Sequence, residues 1–196
     1  MTMVLASASP RRRQLLEEAG YSFRVVPSAA EEEHDAGRDP ELLVTGNALL
    51  KAAEVAAAHP AETVIGADTL VYLDREPLGK PADYAEARAM LGRLSGNTHR
   101  VITGVAVLAG DRGIEHCFAE TTEVTFRCLD AAAIDDYLAS IEPLDKAGAY
   151  AAQDGGERII ASVSGSFRNV VGLPIARLGR ELQALGLGGH VPAQAH

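Results

Sequence analysis

The chain has no tryptophan, and only 5% of its residues are aromatic. Its 47% apolar content must therefore build a core from Ala, Val, Leu and Ile. Two cysteines, Cys117 and Cys128, exclude a disulfide framework. With no secretory pattern at the start, a cytoplasmic location is expected. No apolar run approaches the length that spans a bilayer, so no membrane role is expected. Positive charge is scarce as well: 18 Lys and Arg stand against 27 Asp and Glu, for a net charge of −9. That field repels a nucleic acid polymer, and no stripe of interleaved basic and aromatic residues offsets it. No Gly-x-Gly-x-x-Gly follows a strand pattern, which weighs against a dinucleotide enzyme. No Ser–His–Asp triad can be argued.

Helical and extended patterns alternate, which defines an α/β chain. Strands are expected near 3–7, at 21–27, at 63–73 and at 157–163. Helices are expected at 10–19, 40–58, 84–94, 131–139 and 173–185. Two long extended runs, 98–108 and 114–129, flank Gly110-Asp111-Arg112-Gly113, a hairpin signal. There is no internal repeat and no clear linker. The expected organisation is therefore a single domain over 1–186, two lobes sharing one sheet, and a flexible tail over 187–196. A cleft between lobes is a common ligand site.

Ser7-Ala8-Ser9-Pro10-Arg11-Arg12-Arg13 reads as strand end, tight turn and helix start, with Ser9 as N-cap and Pro10 at the first helical position. Three arginines at the positive end of a helix oppose its dipole. Either an anion such as phosphate sits among them, or the turn is simply solvated. Asp68 lies inside the apolar run Val64–Val71, where a carboxylate is costly without a partner. It is either a structural cap or a metal ligand or general base. Gly66 beside it allows a close approach to the backbone, read here as room for a ligand.

Gly79-Lys80-Pro81 is not a Walker loop, since Asp74 occupies the upstream glycine position and Pro81 replaces Ser or Thr. Lys80 is a surface lysine or a phosphate point charge. Lys51 sits on an Ala/Leu helix with no face assigned. Glu31, Glu32 and Glu33 form a solvated run or supply an oxygen to a hard cation. Asp145-Lys146 reads as a surface ion pair or as the lead into a close-packed loop. Gln153 carries the paired donor and acceptor that can read a base edge.

Six ordered segments carry a resemblance: Ser7-Ala8-Ser9-Pro10-Arg11-Arg12, Gly66-Ala67-Asp68-Thr69, Gly79-Lys80-Pro81, Leu94-Ser95-Gly96-Asn97-Thr98-His99, Asp145-Lys146-Ala147-Gly148-Ala149-Tyr150 and Asn169-Val170-Val171-Gly172-Leu173-Pro174. Together they resemble the Maf family of nucleoside triphosphate pyrophosphatases over nearly the whole chain. The resemblance implies an elongated two-lobed mixed sheet with flanking helices, similar to the inosine triphosphate pyrophosphatases, with the active-site cleft between lobes. It implies hydrolysis of a nucleoside triphosphate to monophosphate and pyrophosphate with Mg²⁺ or Mn²⁺, and a homodimer. It implies Asp68 as catalytic carboxylate, Glu32 and Asp68 at the metal, and Ser7, Ser9, Arg12, Lys51 and Lys80 at the phosphates. Arg11, Thr69 and Gln153 match the base-selecting positions of the subgroup acting on dTTP and UTP. The sister subgroup, which prefers 7-methyl-GTP, has Trp, Gln and Glu there. The rival readings are a nucleotide-binding regulator of septum formation in cell division and a house-cleaning enzyme for modified nucleotides.

Overall fold

Four helices begin where the sequence supplies a capping side chain. Ser9 accepts from the Arg12 amide at 3.4 Å, and Asp39 from those of Glu41 and Leu42. Asp83 accepts from Glu86 and Asp130 from Ala133. Each bond satisfies an amide that the first turn leaves without an intrahelical partner. Pro10 and Pro40 open two of these helices with a preset backbone angle.

The computed structural model describes residues 3–35 and 37–188. In chain order the elements are β1 (Met3–Leu5), α1 (Pro10–Glu18), β2 (Phe23–Val25), α2 (Pro40–Ala58), β3 (Thr63–Leu73), β4 (Glu76–Leu78) and α3 (Tyr84–Leu94). They continue with β5 (Thr98–Ala109), β6 (Ile114–Phe126), α4 (Ala131–Leu138), α5 (Gly156–Ile159), β7 (Ile160–Ser164), α6 (Phe167–Val171) and α7 (Ile175–Ala184). The strands form a seven-stranded mixed sheet in the order β2-β1-β3-β5-β6-β7, with β4 paired to β3. β1 runs parallel to β2 and β3, whereas β3–β4 and β6–β7 are antiparallel. The expected α/β class holds. The expected strand over 157–163 is corrected: Gly156–Ile159 is a helical turn and only Ile160–Ser164 is extended. β2 is also shorter than its alternating pattern, at Phe23–Val25.

The chain divides into two compact units. The first takes Met1–Asp68, Thr103–Glu120 and Gly172–His196; the second takes Thr69–Ile102 and Thr121–Val171. Strands β3, β5 and β6 contribute residues to both. The core of the first unit is made of small and branched side chains, among them Val4, Ala6, Ala48, Ala52, Val64 and Ala106. Of the expected tail, residues 189–196 lie outside the described residues. Leu187 is buried, and its amide bonds the Leu182 carbonyl at 2.8 Å.

The second unit concentrates the aromatic residues. Phe126, Tyr137 and Tyr150 pack with Leu91, Leu94 and Val101. The Tyr137 hydroxyl donates to the Ala151 carbonyl and accepts from its amide, both at 3.0 Å. Burial pushes this hydroxyl up to about 12. His99, 1% exposed, stands edge-on to Phe126 and Tyr150 at centroid separations of 5.0 and 5.4 Å. Its Nε2 bonds the Tyr150 hydroxyl at 2.9 Å, while Nδ1 meets no hydrogen-bond partner among the described residues. A charged ring would leave an N–H buried and unpaired there, so burial drives the pKa down to about 4.

The unfolded chain takes up this proton near pH 6.5 and the folded protein only near 4. Between these values the unfolded state binds more protons, so stability falls as pH falls through that window and is flat above it. The contribution is at most about 3 kcal/mol. Urea unfolding at pH 7.5 and 4.5 tests this: His99→Gln is expected to lose less stability on acidification than the wild-type protein.

Candidate active site

The central carboxylate is reached because helix α2 lies directly on the sheet. A Cβ built on Gly66 would stand 2.1 Å from the Ala48 carbonyl oxygen and 2.9 Å from the Ala52 amide nitrogen. One on Gly104 would stand 2.3 Å from the Val44 carbonyl. Glycine in β3 and β5, with Ala48 and Ala52 on the facing helix, lets backbone meet backbone. The close approach expected at Gly66 is therefore that of α2, not of a ligand.

This contact brings Asn47 and Lys51, one turn apart on α2, to Asp68 on β3. Asp68 is 5% exposed. Its Oδ1 accepts from Lys51 Nζ at 2.9 Å and its Oδ2 from Asn47 Nδ2 at 3.0 Å. Lys51 Nζ also pairs with Glu32 Oε1 at 2.7 Å. Of the three adjacent glutamates, Glu32 is thus the one that reaches this centre, while Glu33 pairs with Arg38. Burial alone would raise the Asp68 carboxyl. The charge and hydrogen bond of Lys51, the charge of Arg12 and the amide of Asn47 outweigh it and hold the group below the usual aspartate range.

Arg12 folds back from the first turn of α1. Its Nε donates to the Gly172 carbonyl at 2.9 Å, and its Nη1 to the Ala67 carbonyl at 2.8 Å and to Ser7 Oγ at 3.2 Å. Burial lowers its pKa, and the Asp68 charge opposes that shift. Arg13 instead forms an exposed pair with Glu17 at 2.7 Å. The arginines at the helix start therefore differ: one serves the carboxylate centre and one is a surface ion pair. Arg11 is half-buried.

The structure brings Ser7, Ser9, Arg12, Glu32, Lys51 and Asp68 into one region of the first unit. Thr69, Lys80 and Gln153 belong to the second unit, with Lys80 and Gln153 exposed. There the Gly148 amide bonds the Gly79 carbonyl at 3.0 Å, so the segments around Lys80 and Asp145–Tyr150 are joined. The surface reading of Asp145-Lys146 is corrected for the lysine. Lys146 is buried, and its ammonium is held by the Glu142 carbonyl and Asp145. Asn47 and Gly104 escaped the sequence reading. The available signal was an Asn four residues before Lys51 on the same helical face.

No group of three His, Cys, Asp or Glu among the described residues is placed to hold a metal ion. Two carboxylates do converge, since Asp68 and Glu32 share the Lys51 ammonium. An all-oxygen pair of this kind fits a hard cation that takes its other ligands from phosphates and water. It does not fit a cation held by protein ligands alone.

A buried Asp68 and a half-buried Glu32, flanked by arginine and lysine, are the kinds of group that polyphosphate-hydrolysing sites use. The family comparison agrees: the model described as "Maf-like protein" matches residues 2–185, and the chain belongs to the Maf family. It is 49% identical over 181 residues to a dTTP/UTP pyrophosphatase of Bacillus mycoides, covering 92% of this chain and 94% of that protein. It is 48% identical over 184 residues to a dTTP/UTP pyrophosphatase of Akkermansia muciniphila, covering 94% and 96%. Among solved structures, the Staphylococcus aureus Ham1 protein matches with a TM-score of 0.52 at 16% identity, over 94% of this chain and 100% of that one. This last likeness is one of fold.

Gly66→Ala is expected to lower unfolding stability by about 3 kcal/mol or more, because the helix must move off the sheet. Gly92→Ala, on an open face of α3, is the control and is expected to gain about 0.5–1 kcal/mol. Urea unfolding of both variants measures the contrast.

Proposed function

We propose that the protein hydrolyses dTTP and UTP to the monophosphate and pyrophosphate. The observation that carries this reading is the ionised, buried Asp68 held between Lys51, Asn47 and Arg12, in a chain about 48% identical to proteins named for that activity. Water adds to the α-phosphorus, the bond from that phosphorus to the α–β bridging oxygen breaks, and pyrophosphate leaves. Asp68, kept ionised, accepts a hydrogen bond from the water and orients it for attack; a carboxyl held below its usual range is a weak base, so the water's proton passes on to solvent. Ser7, Ser9, Arg12, Lys51 and Lys80 are the proposed phosphate ligands, supplying hydrogen bonds and charge to a strongly anionic chain. Arg11, Thr69 and Gln153 are the proposed readers of the base.

Asp68 and Glu32 are the residues that would hold Mg²⁺ or Mn²⁺. The ion would neutralise charge on the phosphate oxygens. A homodimer working in the cytoplasm is the proposed context. No helix among the described residues is long and apolar enough to cross a membrane.

Pyrophosphate release is measured with Mg²⁺ and with Mn²⁺ on dTTP, UTP, CTP, ITP, 7-methyl-GTP and 5-methyl-UTP. Preference for dTTP and UTP is expected, and equal rates across the panel would overturn the assignment. Asp68→Asn should lower kcat by about 10²–10⁴-fold with nucleotide still bound. Near-normal turnover in that folded variant would remove Asp68 from the chemistry. Arg11→Ala and Gln153→Ala should each shift the dTTP/GTP ratio of kcat/KM about tenfold, which corresponds to roughly 1.4 kcal/mol of discrimination. An unchanged ratio in both would sink the base-reading role.

A further inference from the structure

Asn47 is 2% exposed in the interior of a helix, where asparagine has modest propensity and a buried amide is costly unless bonded. Its amide makes three hydrogen bonds. Oδ1 accepts from the Glu33 amide at 2.8 Å, and Nδ2 donates to the Glu33 carbonyl at 3.1 Å and to Asp68 Oδ2 at 3.0 Å. The reversed amide would set two donors face to face at Glu33 and an oxygen against the Asp68 carboxylate, so the network selects one orientation.

We propose that Asn47 is a positioning residue that holds the carboxylates of Glu32 and Asp68 in register with each other. The proposal rests on the roles assigned above to those two carboxylates. The paired bonds to residue 33 imitate one rung of a strand ladder and fix the peptides on either side of Glu33, the first of which joins it to Glu32. Glu32 is thereby presented to Lys51 Nζ, which it meets at 2.7 Å. On the other side, Asp68 has one oxygen on Asn47 and the other on Lys51, so rotating the carboxylate breaks a bond. Two residues a turn apart on α2 therefore orient one carboxylate from the sheet and one from a loop. Asn47 itself acts through these groups rather than on substrate.

The test uses the full-length protein. In steady state with dTTP, Asn47→Ala should lower kcat at least tenfold while KM stays within threefold. In metal-free protein the Glu33 amide should exchange its hydrogen at least tenfold faster, since it has lost its acceptor. Asn47→Asp keeps the volume and the acceptor for the Glu33 amide but turns the donor into an oxygen facing both the Glu33 carbonyl and Asp68. It should retain the Glu33 protection and lose kcat at least as far, and it decides the matter if Asn47→Ala does not fold. Combining Asn47→Ala with Glu32→Gln should cost less in kcat than the product of the two single losses, because the two changes disable one unit. Losses that multiply would mark Asn47 as merely structural and overturn the proposal. Wild-type kcat in both Asn47 variants, beside an inactive Asp68→Asn, would overturn the positioning role and leave the site reading intact. An active Asp68→Asn would remove both.

Discussion

The polar centre of the first unit depends on the contact of backbone with backbone between helix α2 and the sheet at Gly66 and Gly104. A side chain at either position would hold the helix off by the width of a methyl group. Lys51 and Asn47 would then fall short of Asp68, whose bonds to them are 2.9 and 3.0 Å. Ala48 and Ala52 on the helix serve the same end. The scarcity of large side chains in this core is thus more than a compositional accident. A core built on small residues lets a helix approach closely enough for short polar side chains to meet across the interface.

That contact explains how a carboxylate stays ionised where burial opposes it. Burial favours the neutral form of Asp68, and the opposing charges and hydrogen bonds come from three residues on two helices. Arg12 comes from α1, steered by carbonyl oxygens of Ala67 and Gly172. Lys51 and Asn47 come from α2. The arginine at a helix start, which looks wrong against the helix dipole, is reasonable once its charge is seen beside Asp68 and those carbonyls.

Much of the fold was legible in local chemistry. Pro40–Ala58, Thr63–Leu73 and Tyr84–Leu94 match the sequence reading because a cap or a β-branched run marks each of them. The stretch after Gly155 misled because Ile159-Ile160 reads as extended, whereas Gly155 in a left-handed conformation starts a helical turn first. Three-residue β4 and five-residue α6 carry too few residues for any period to show. In the site, Asp68 and Arg12 stood out because charge was placed where charge is costly. Lys51 could not be oriented, since on an Ala/Leu helix every face looks apolar. Asn47 is conspicuous only once its partners at residues 33 and 68 are known, and such long-range pairing is invisible to local patterns.

Lys51 carries one further consequence. Its ammonium stands between Glu32 and Asp68, and with Arg12 nearby the four side chains are formally neutral. The protein thus brings its own counter-ion. Such a centre has no electrostatic debt when it is empty, so its integrity is independent of bound cations.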